Sequence, residues 1–179
     1  MTPQKIGVFC ASSNHMRPVF YERARELGTW LGQHGKTLVY GGNACGLMET
    51  LAQATKQAGG TVFGIVPRKL VETGDVSEAI DITFHCDDLH DRKQWLMDEP
   101  DVMVVMPGSV GTLDEAFSAM AANTFGMHDK RIIFWNIEGF YDKLFDFLDS
   151  LTGEGVVNKP WAEVMDRAQT LDELTSLLS

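Results

Sequence analysis

The sequence has no long hydrophobic run and little positive charge. No apolar stretch approaches the ~20 residues that a transmembrane helix needs, so we expect no membrane span. Lysine and arginine number 15 against 25 aspartates and glutamates, which gives a formal net charge of −10. A chain this acidic would be repelled by nucleic acid and by anionic membranes, so neither is expected as a partner.

Cysteine is also scarce. Cys10, Cys45 and Cys86 lie far apart without a CxxC pair, which favours a reducing compartment and buried structural roles for all three. Residues 1–5 lead straight into an apolar segment with no signal-peptide core, so we expect a cytoplasmic protein. The histidines do not have metal-ligand spacing, and no metal site is predicted.

Short apolar runs alternate with helical periodicity along the whole chain. At 179 residues, the length fits a single domain spanning residues 1–179. Helical stripes recur at spacings of three and four residues, and residues 158–179 resemble two short helices separated near Ala168. Buried strands are predicted at residues 6–10, 38–40, 62–66, 80–84, 102–106 and 132–135.

Four helical stripes are predicted to face the core. They comprise Phe20, Ala24, Leu27 and Leu31; Leu47, Leu51 and Ala54; Leu113, Phe117 and Met120; and Phe140, Leu144, Leu148 and Leu151. Continuous apolar strands that alternate with such helices predict an α/β protein with a Rossmann-like, doubly wound parallel sheet in three α/β/α layers. A ligand site is then expected at the carboxyl ends of the strands, in loops 10–15, 41–46, 86–90 and 107–112.

The most distinctive of these loops is residues 107–115, with the sequence PGSVGTLDE. Its glycines and Thr112 open a helix, so free backbone N–H groups and the positive end of the helix dipole favour a bound phosphate. Glu115, one turn further on, would reach the ligand beyond its phosphate. The alternative is a tight strand–helix turn with a capping threonine and a glutamate favoured by the dipole.

Arg92 is the second candidate. It shares a helix face with Leu89 and Leu96, so its stem points to the apolar side, where a guanidinium is costly to desolvate unless it meets an anion or a carboxylate. The alternative is a snorkelling arginine whose charged end reaches water.

Residues 40–48 form another glycine-rich strand–helix turn, which permits either a close ligand approach or simply a tight turn. A GxGxxG dinucleotide fingerprint is absent after the first strand, as is a Walker A sequence.

Together these segments resemble the LONELY GUY family of cytokinin-activating phosphoribohydrolases, long labelled "lysine decarboxylase-like". The resemblance extends from residue 6 to about residue 157. It depends on residues 8–13 (VFCASS), on YGG with GLM in residues 40–48, on His90-x-Arg92-Lys93, and on residues 107–115, which are similar to the family's PGGxGTxxE.

The resemblance implies that a nucleoside 5′-monophosphate such as AMP is hydrolysed to a free base and ribose 5-phosphate by a homodimer that needs no metal or organic cofactor. By position, Arg92 and Glu115 correspond to the catalytic pair. The implied substrate-binding residues are Ser12, Gly42, Gly46, Lys93, Gly108, Ser109, Val110, Gly111 and Thr112.

Several positions depart from the family pattern. Ser109 and Asn43 replace glycines, Glu49 replaces a small residue, and residues 121–124 lack the usual Thr-Trp-x-Gln. These departures leave the nucleobase unassigned. They also support an alternative, a nucleotide-binding or sensing protein with little turnover. Amino-acid decarboxylation, suggested only by the old label, is rejected because no lysine lies in a pattern suited to pyridoxal phosphate.

Overall fold

Strands and helices alternate through residues 2–179, the part of the chain that the computed structural model describes. The strands are β1 (Lys5–Phe9), β2 (Thr37–Tyr40), β3 (Thr61–Pro67), β4 (Ile82–Cys86), β5 (Val102–Val105), β6 (Ile132–Trp135) and β7 (Asp166–Ala168). The helices are α1 (Pro18–Gln33), α2 (Gly46–Gln57), α3 (Arg68–Thr73), α4 (Leu89–Asp98), α5 (Val110–Thr124), α6 (Asp142–Gly153), α7 (Trp161–Val164) and α8 (Leu171–Leu177).

All seven strands pair in parallel in the order β4-β3-β2-β1-β5-β6-β7. The chain begins in the middle of the sheet, builds outward to β4, and returns to place β5 on the other side of β1. The predicted Rossmann-like fold is therefore confirmed, with its switch point between β1 and β5, where the register pairs Phe9 with Val105.

Alternate strand residues face opposite layers of helices. On one side, Ile6 and Val8 pack with α1 and α2 in a cluster that includes Leu27 and Leu51. On the other side, Phe9 belongs to a second cluster formed with α4, α5 and α6. Since both faces of the sheet are covered at its centre, strands such as β1, β5 and β6 are continuous apolar segments rather than alternating ones.

Helix boundaries follow the expected stop and start residues. Pro18 occupies the first turn of α1, where its missing N–H is not needed. Gly35 follows the end of α1 with a left-handed φ of 61°. Pro100 lies just beyond α4 and cannot continue it. No helix among residues 2–179 combines the length and the apolar character needed to cross a bilayer.

Some expectations were wrong in detail. The two predicted tail helices are present as α7 and α8, but the strand between them, β7, was not predicted, and α3 has no counterpart in the predicted elements. The fourth strand begins at Ile82 rather than at residue 80. Phe117 and Phe140 are 36% and 40% exposed, so neither belongs to the core stripes, and Cys45 is only partly buried.

Candidate active site

A cavity of about 630 Å³ opens at the carboxyl edge of the sheet, beside the switch point. Its volume lies in the range of about 300–1,000 Å³ that small-molecule sites occupy. All four predicted loops contribute to it, together with the β3–α3 segment. The lining residues are Cys10, Ala11, Ser12, Asn43, Met48, Pro67, Lys69, Leu70, Thr73, Asp75, Asp87, Asp88, Leu89, Arg92, Ser109, Gly111, Thr112 and Glu115.

The amino-terminal end of α5 forms one wall of this cavity. Ser109 is the residue before the helix, and its side chain makes no capping hydrogen bond. The first-turn N–H groups of a helix have no intrahelical partners and carry partial positive charge, so this wall suits an anion. A Cβ on Gly108 would overlap the hydroxyl of buried Thr112, so glycine is needed for Thr112 to occupy its place.

Glu115 lies one turn further along α5 and is only 8% exposed. Burial raises the pKa of its carboxyl from 4.5 to about 7, although the Arg92 guanidinium partly opposes this shift. Asp114 adds a smaller upward effect and Lys93 a smaller downward one. Both the acid and the carboxylate are therefore present near neutral pH. The neighbouring Cys10 thiol is fully buried, and burial raises its pKa far above the ordinary range.

Arg92 faces Glu115 from α4. Its Nη2 donates to the carbonyl oxygen of Gly41 at 2.9 Å, and its Nε donates to that of Ile65 at 3.3 Å. Gly41 directly follows β2, and Ile65 lies near the carboxyl end of β3. Arg92 Nη1 is 3.8 Å from Glu115 Oε1, which is beyond hydrogen-bond distance, and the two side chains are 16% and 10% exposed. The guanidinium is thus held inside the cavity, and the snorkelling alternative is wrong.

Asp88 fixes the start of α4. Its carboxylate accepts hydrogen bonds from the backbone N–H groups of His90 and Asp91, each at 2.8 Å. These two donors lower the pKa of Asp88, so the carboxylate persists as a helix cap. The cap orients the first turn of α4, from which Arg92 extends toward the strand ends.

Only some of the other predicted substrate-binding residues line the cavity. Ser12 and Ser109 line the cavity, whereas Lys93 pairs with Asp114 at 3.0 Å and is not among the lining residues. The side chain of Val110 is 81% exposed, which leaves its backbone N–H as the group available to an anion.

Gly42 and Gly46 shape the loop rather than line the cavity. Both have left-handed φ values, of 78° and 60°. A Cβ on Gly46 would lie 2.6 Å from the carbonyl carbon of Ser12. Gly46 therefore lets the β2–α2 turn approach the loop that follows β1, and its N–H donates to Asn14 Oδ1 at 2.9 Å.

Sequence reasoning missed the wall formed by α3 and the residues that follow it. Lys69, Leu70, Thr73 and Asp75 all line the cavity. The signal was available, because this segment follows the carboxyl end of β3 and the rule that selected the other four loops applies to it equally. Within residues 2–179, no group of three or more His, Cys, Asp or Glu side chains is arranged to hold a metal ion.

The fold and the position of the cavity define the class. This is a Rossmann-like α/β protein with its site at the switch point of a parallel sheet, an arrangement common among nucleotide-binding proteins. A family model described as "Possible lysine decarboxylase" matches residues 48–178.

A cytokinin riboside 5′-monophosphate phosphoribohydrolase of Arabidopsis thaliana is 32% identical over 175 residues, covering 98% of this chain and 77% of that protein. A probable enzyme of the same name from Oryza sativa subsp. japonica is 32% identical over 170 residues, covering 95% of this chain and 76% of that protein. The chain therefore belongs to the LONELY GUY family, as the resemblance predicted.

Among solved structures, the molybdenum cofactor carrier protein of Chlamydomonas reinhardtii matches with a TM-score of 0.75 and 24% identity. The match covers 97% of this chain and 94% of that one, and it shows a shared fold.

Proposed function

We propose that this protein hydrolyses the N-glycosidic bond of nucleoside 5′-monophosphates, releasing a free base and ribose 5-phosphate. The observation that carries the proposal is the position of the buried Glu115. It lies on α5, one turn beyond Thr112, and the amino-terminal end of this helix borders the cavity. Arg92 lines the same cavity from α4. The phosphoribohydrolase activity named for the plant relatives supports the same assignment.

The spacing along α5 places Glu115 deeper in the cavity than the proposed phosphate position. In an α-helix each residue rises about 1.5 Å, so Glu115 lies about 4.5 Å beyond Thr112 along the axis. A 5′-phosphate bound by the N–H groups of residues 108–112 then directs the ribose toward Glu115. We propose that Ser12 and the Ser109 hydroxyl, which makes no cap, contribute further donors to the phosphate.

Cleavage of the bond between C1′ and the base nitrogen builds positive charge on the ribose, as in glycoside hydrolysis. In our proposal the Glu115 carboxylate stabilises this charge and accepts a proton from the attacking water, whose oxygen bonds to C1′. As the C1′–N bond breaks, the base leaves with the bonding electron pair and takes up one proton from solvent, and Glu115 returns its proton to solvent. A pKa of about 7 suits the task, because a base is most effective when its pKa lies near the working pH. Arg92 holds the substrate and keeps Glu115 partly ionised by its positive charge.

Finer assignments depend on the family resemblance. A cytokinin nucleotide or AMP as the substrate, a homodimer, a cytoplasmic location and catalysis without a metal or organic cofactor stay predictions. The assignment of Lys93 to substrate binding also stays a prediction, since its ammonium group pairs with Asp114 at 3.0 Å and does not line the cavity.

The test is to incubate the protein with a panel of nucleoside monophosphates and to measure free base by chromatography. We expect release by the wild type, a loss of about 100-fold or more in Glu115→Gln, and no loss in Glu163→Gln, which alters an exposed glutamate on α7. Unchanged release by Glu115→Gln would contradict the catalytic assignment. Binding of AMP without release by the wild type would favour the nucleotide-binding alternative, for which Ser109 and Asn43 are the supporting residues.

A further inference from the structure

Gly41 lies directly after β2, and its carbonyl oxygen accepts the hydrogen bond from Arg92 Nη2 at 2.9 Å. The residue is buried, and it is not one of the glycines with left-handed backbone, in contrast to Gly42 with φ of 78°. An alanine could therefore adopt the backbone conformation of Gly41 without strain. The reason for a glycine at this position must lie in the space around it.

That space is occupied by the end of Arg92. A Cβ built on Gly41 would overlap Arg92 Nη2 and would lie 3.0 Å from Arg92 Cζ, whereas the next atom, Met48 Cε, is at an ordinary contact distance of 3.5 Å. No backbone atom is among these three nearest neighbours. A side chain here would consequently displace a flexible guanidinium rather than disrupt the sheet.

We infer that Gly41 is a positioning residue for Arg92: the missing side chain lets the guanidinium lie on the strand-end carbonyls, with Nη1 3.8 Å from Glu115. The two hydrogen bonds to Gly41 and Ile65 fix the guanidinium in two directions. A methyl group at position 41 occupies the place of Nη2 and breaks the shorter of these bonds. The kinetic test of this inference depends on the proposed function, whereas the test by titration of Glu115 does not.

The kinetic experiment compares Gly41→Ala with Gly153→Ala. Gly153 ends α6, and a Cβ added there meets no atom within 4 Å, so it controls for the change from glycine to alanine itself. Because a displacement of about 1 Å in a positioning group lowers rates by about 100-fold, we expect that loss in kcat/KM for Gly41→Ala and none for Gly153→Ala. A Gly41→Ala enzyme as active as Gly153→Ala would overturn the inference.

A double variant shows whether Gly41 acts through Arg92. Once Arg92→Ala has removed the guanidinium, adding Gly41→Ala should lower kcat/KM by no more than about 3-fold further, since residues that act as a unit are not additive. A further loss of 10-fold or more would overturn the inference. If Gly41→Ala folds poorly, the double variant should have the same Tm as Arg92→Ala, because the guanidinium atoms that overlap the new Cβ are absent. A Tm of the double variant below that of Arg92→Ala would contradict the inference.

A readout without substrate separates this inference from the proposed function. The Arg92 guanidinium lowers the pKa of Glu115, so moving it must change the pH at which the Glu115 carboxyl titrates by NMR. We expect a changed midpoint in Gly41→Ala and the wild-type midpoint in Gly153→Ala. If the wild type releases no base but the midpoint moves, the proposed function fails and the positioning role stands. An unmoved midpoint refutes the positioning role whatever the activity.

Discussion

Replacing Glu115 by glutamine should make the protein increasingly stable, relative to the wild type, as the pH rises from 4.5 to above 7. In the folded protein the pKa of Glu115 is about 7, against an ordinary value of 4.5. A carboxyl whose pKa is raised on folding favours the folded state while it is protonated. That stability is fully present below pH 4.5 and is lost as the pH rises through 7.

The size of the effect follows from the two pKa values. One pKa unit corresponds to about 1.4 kcal/mol, so ionisation of Glu115 lowers the free energy of unfolding by about 3 kcal/mol above pH 7. Glutamine has a similar shape and does not ionise, and the cost of desolvating its amide is the same at every pH. We therefore expect the stability of Glu115→Gln relative to the wild type to rise by about 3 kcal/mol between pH 4.5 and pH 8.

Urea unfolding at several pH values measures this gain. The difference between Glu115→Gln and the wild type should grow from pH 4.5 to pH 7 and then stay constant. Glu163→Gln, at an exposed site on α7, should show a change of less than about 1 kcal/mol across the same range. A difference for Glu115→Gln that is the same at pH 4.5 and at pH 8 would refute the claim that burial raises the pKa of this carboxyl.

Three further outcomes are expected. If Glu115 acts as a carboxylate, kcat/KM should rise with pH and level off above about 7, and a pH–rate profile that is flat from pH 5 to pH 8 would argue against that role. Gly28→Ala should lower the free energy of unfolding by about 1–3 kcal/mol in urea, because its Cβ would lie 2.6 Å from the Leu51 carbonyl where α1 contacts α2. Asp88→Ala should lower it by about 1 kcal/mol through loss of the α4 cap, whereas an unchanged unfolding midpoint would show that the two N–H groups find other acceptors.

The sheet could be predicted because its central strands are buried on both faces. Five of the predicted strands overlap the observed ones to within one residue at each end. The remaining prediction, residues 80–84, lies two residues too early at both ends, since β4 is Ile82–Cys86. Ile80 instead precedes the strand, with its side chain close to Gly64. β7 has the sequence Asp-Arg-Ala and only three residues, so it carries no apolar pattern. It pairs with β6 as an edge strand, a tertiary contact that no local signal records.

The helix faces were predicted less well where small residues form the core. In α5 the buried side chains include Ala116 and Ala119, and Phe117 lies outward although its spacing suggested the core stripe. The predicted stripe is therefore confirmed at Met120, which is buried, and at Leu113, which packs against the core, but it is wrong at Phe117. Phe140 failed for another reason, since α6 begins only at Asp142 and helical spacing does not extend back to it.

The candidate site was predictable in part of its residues but not in its geometry. Glycine spacing and the strand-end rule identified the loops that lead into α4 and α5, the helices that carry Arg92 and Glu115, but the α3 wall was missed. Nothing in the sequence indicates that the guanidinium is held by the carbonyls of Gly41 and Ile65, because backbone acceptors have no residue signature. The raised pKa of Glu115 likewise depends on how deeply α5 packs, which is a property of the whole fold.

One wall of the cavity is independent of the core. α3 contains no buried residue, yet Lys69, Leu70 and Thr73 of this helix border the same cavity as Arg92 and Glu115. Surface substitutions of this kind usually change stability by less than about 0.5 kcal/mol. Substitutions in α3 can therefore change which molecule the cavity admits while the sheet, Arg92 and Glu115 keep their arrangement. Relatives with the same chemistry can then differ in the molecules that they accept.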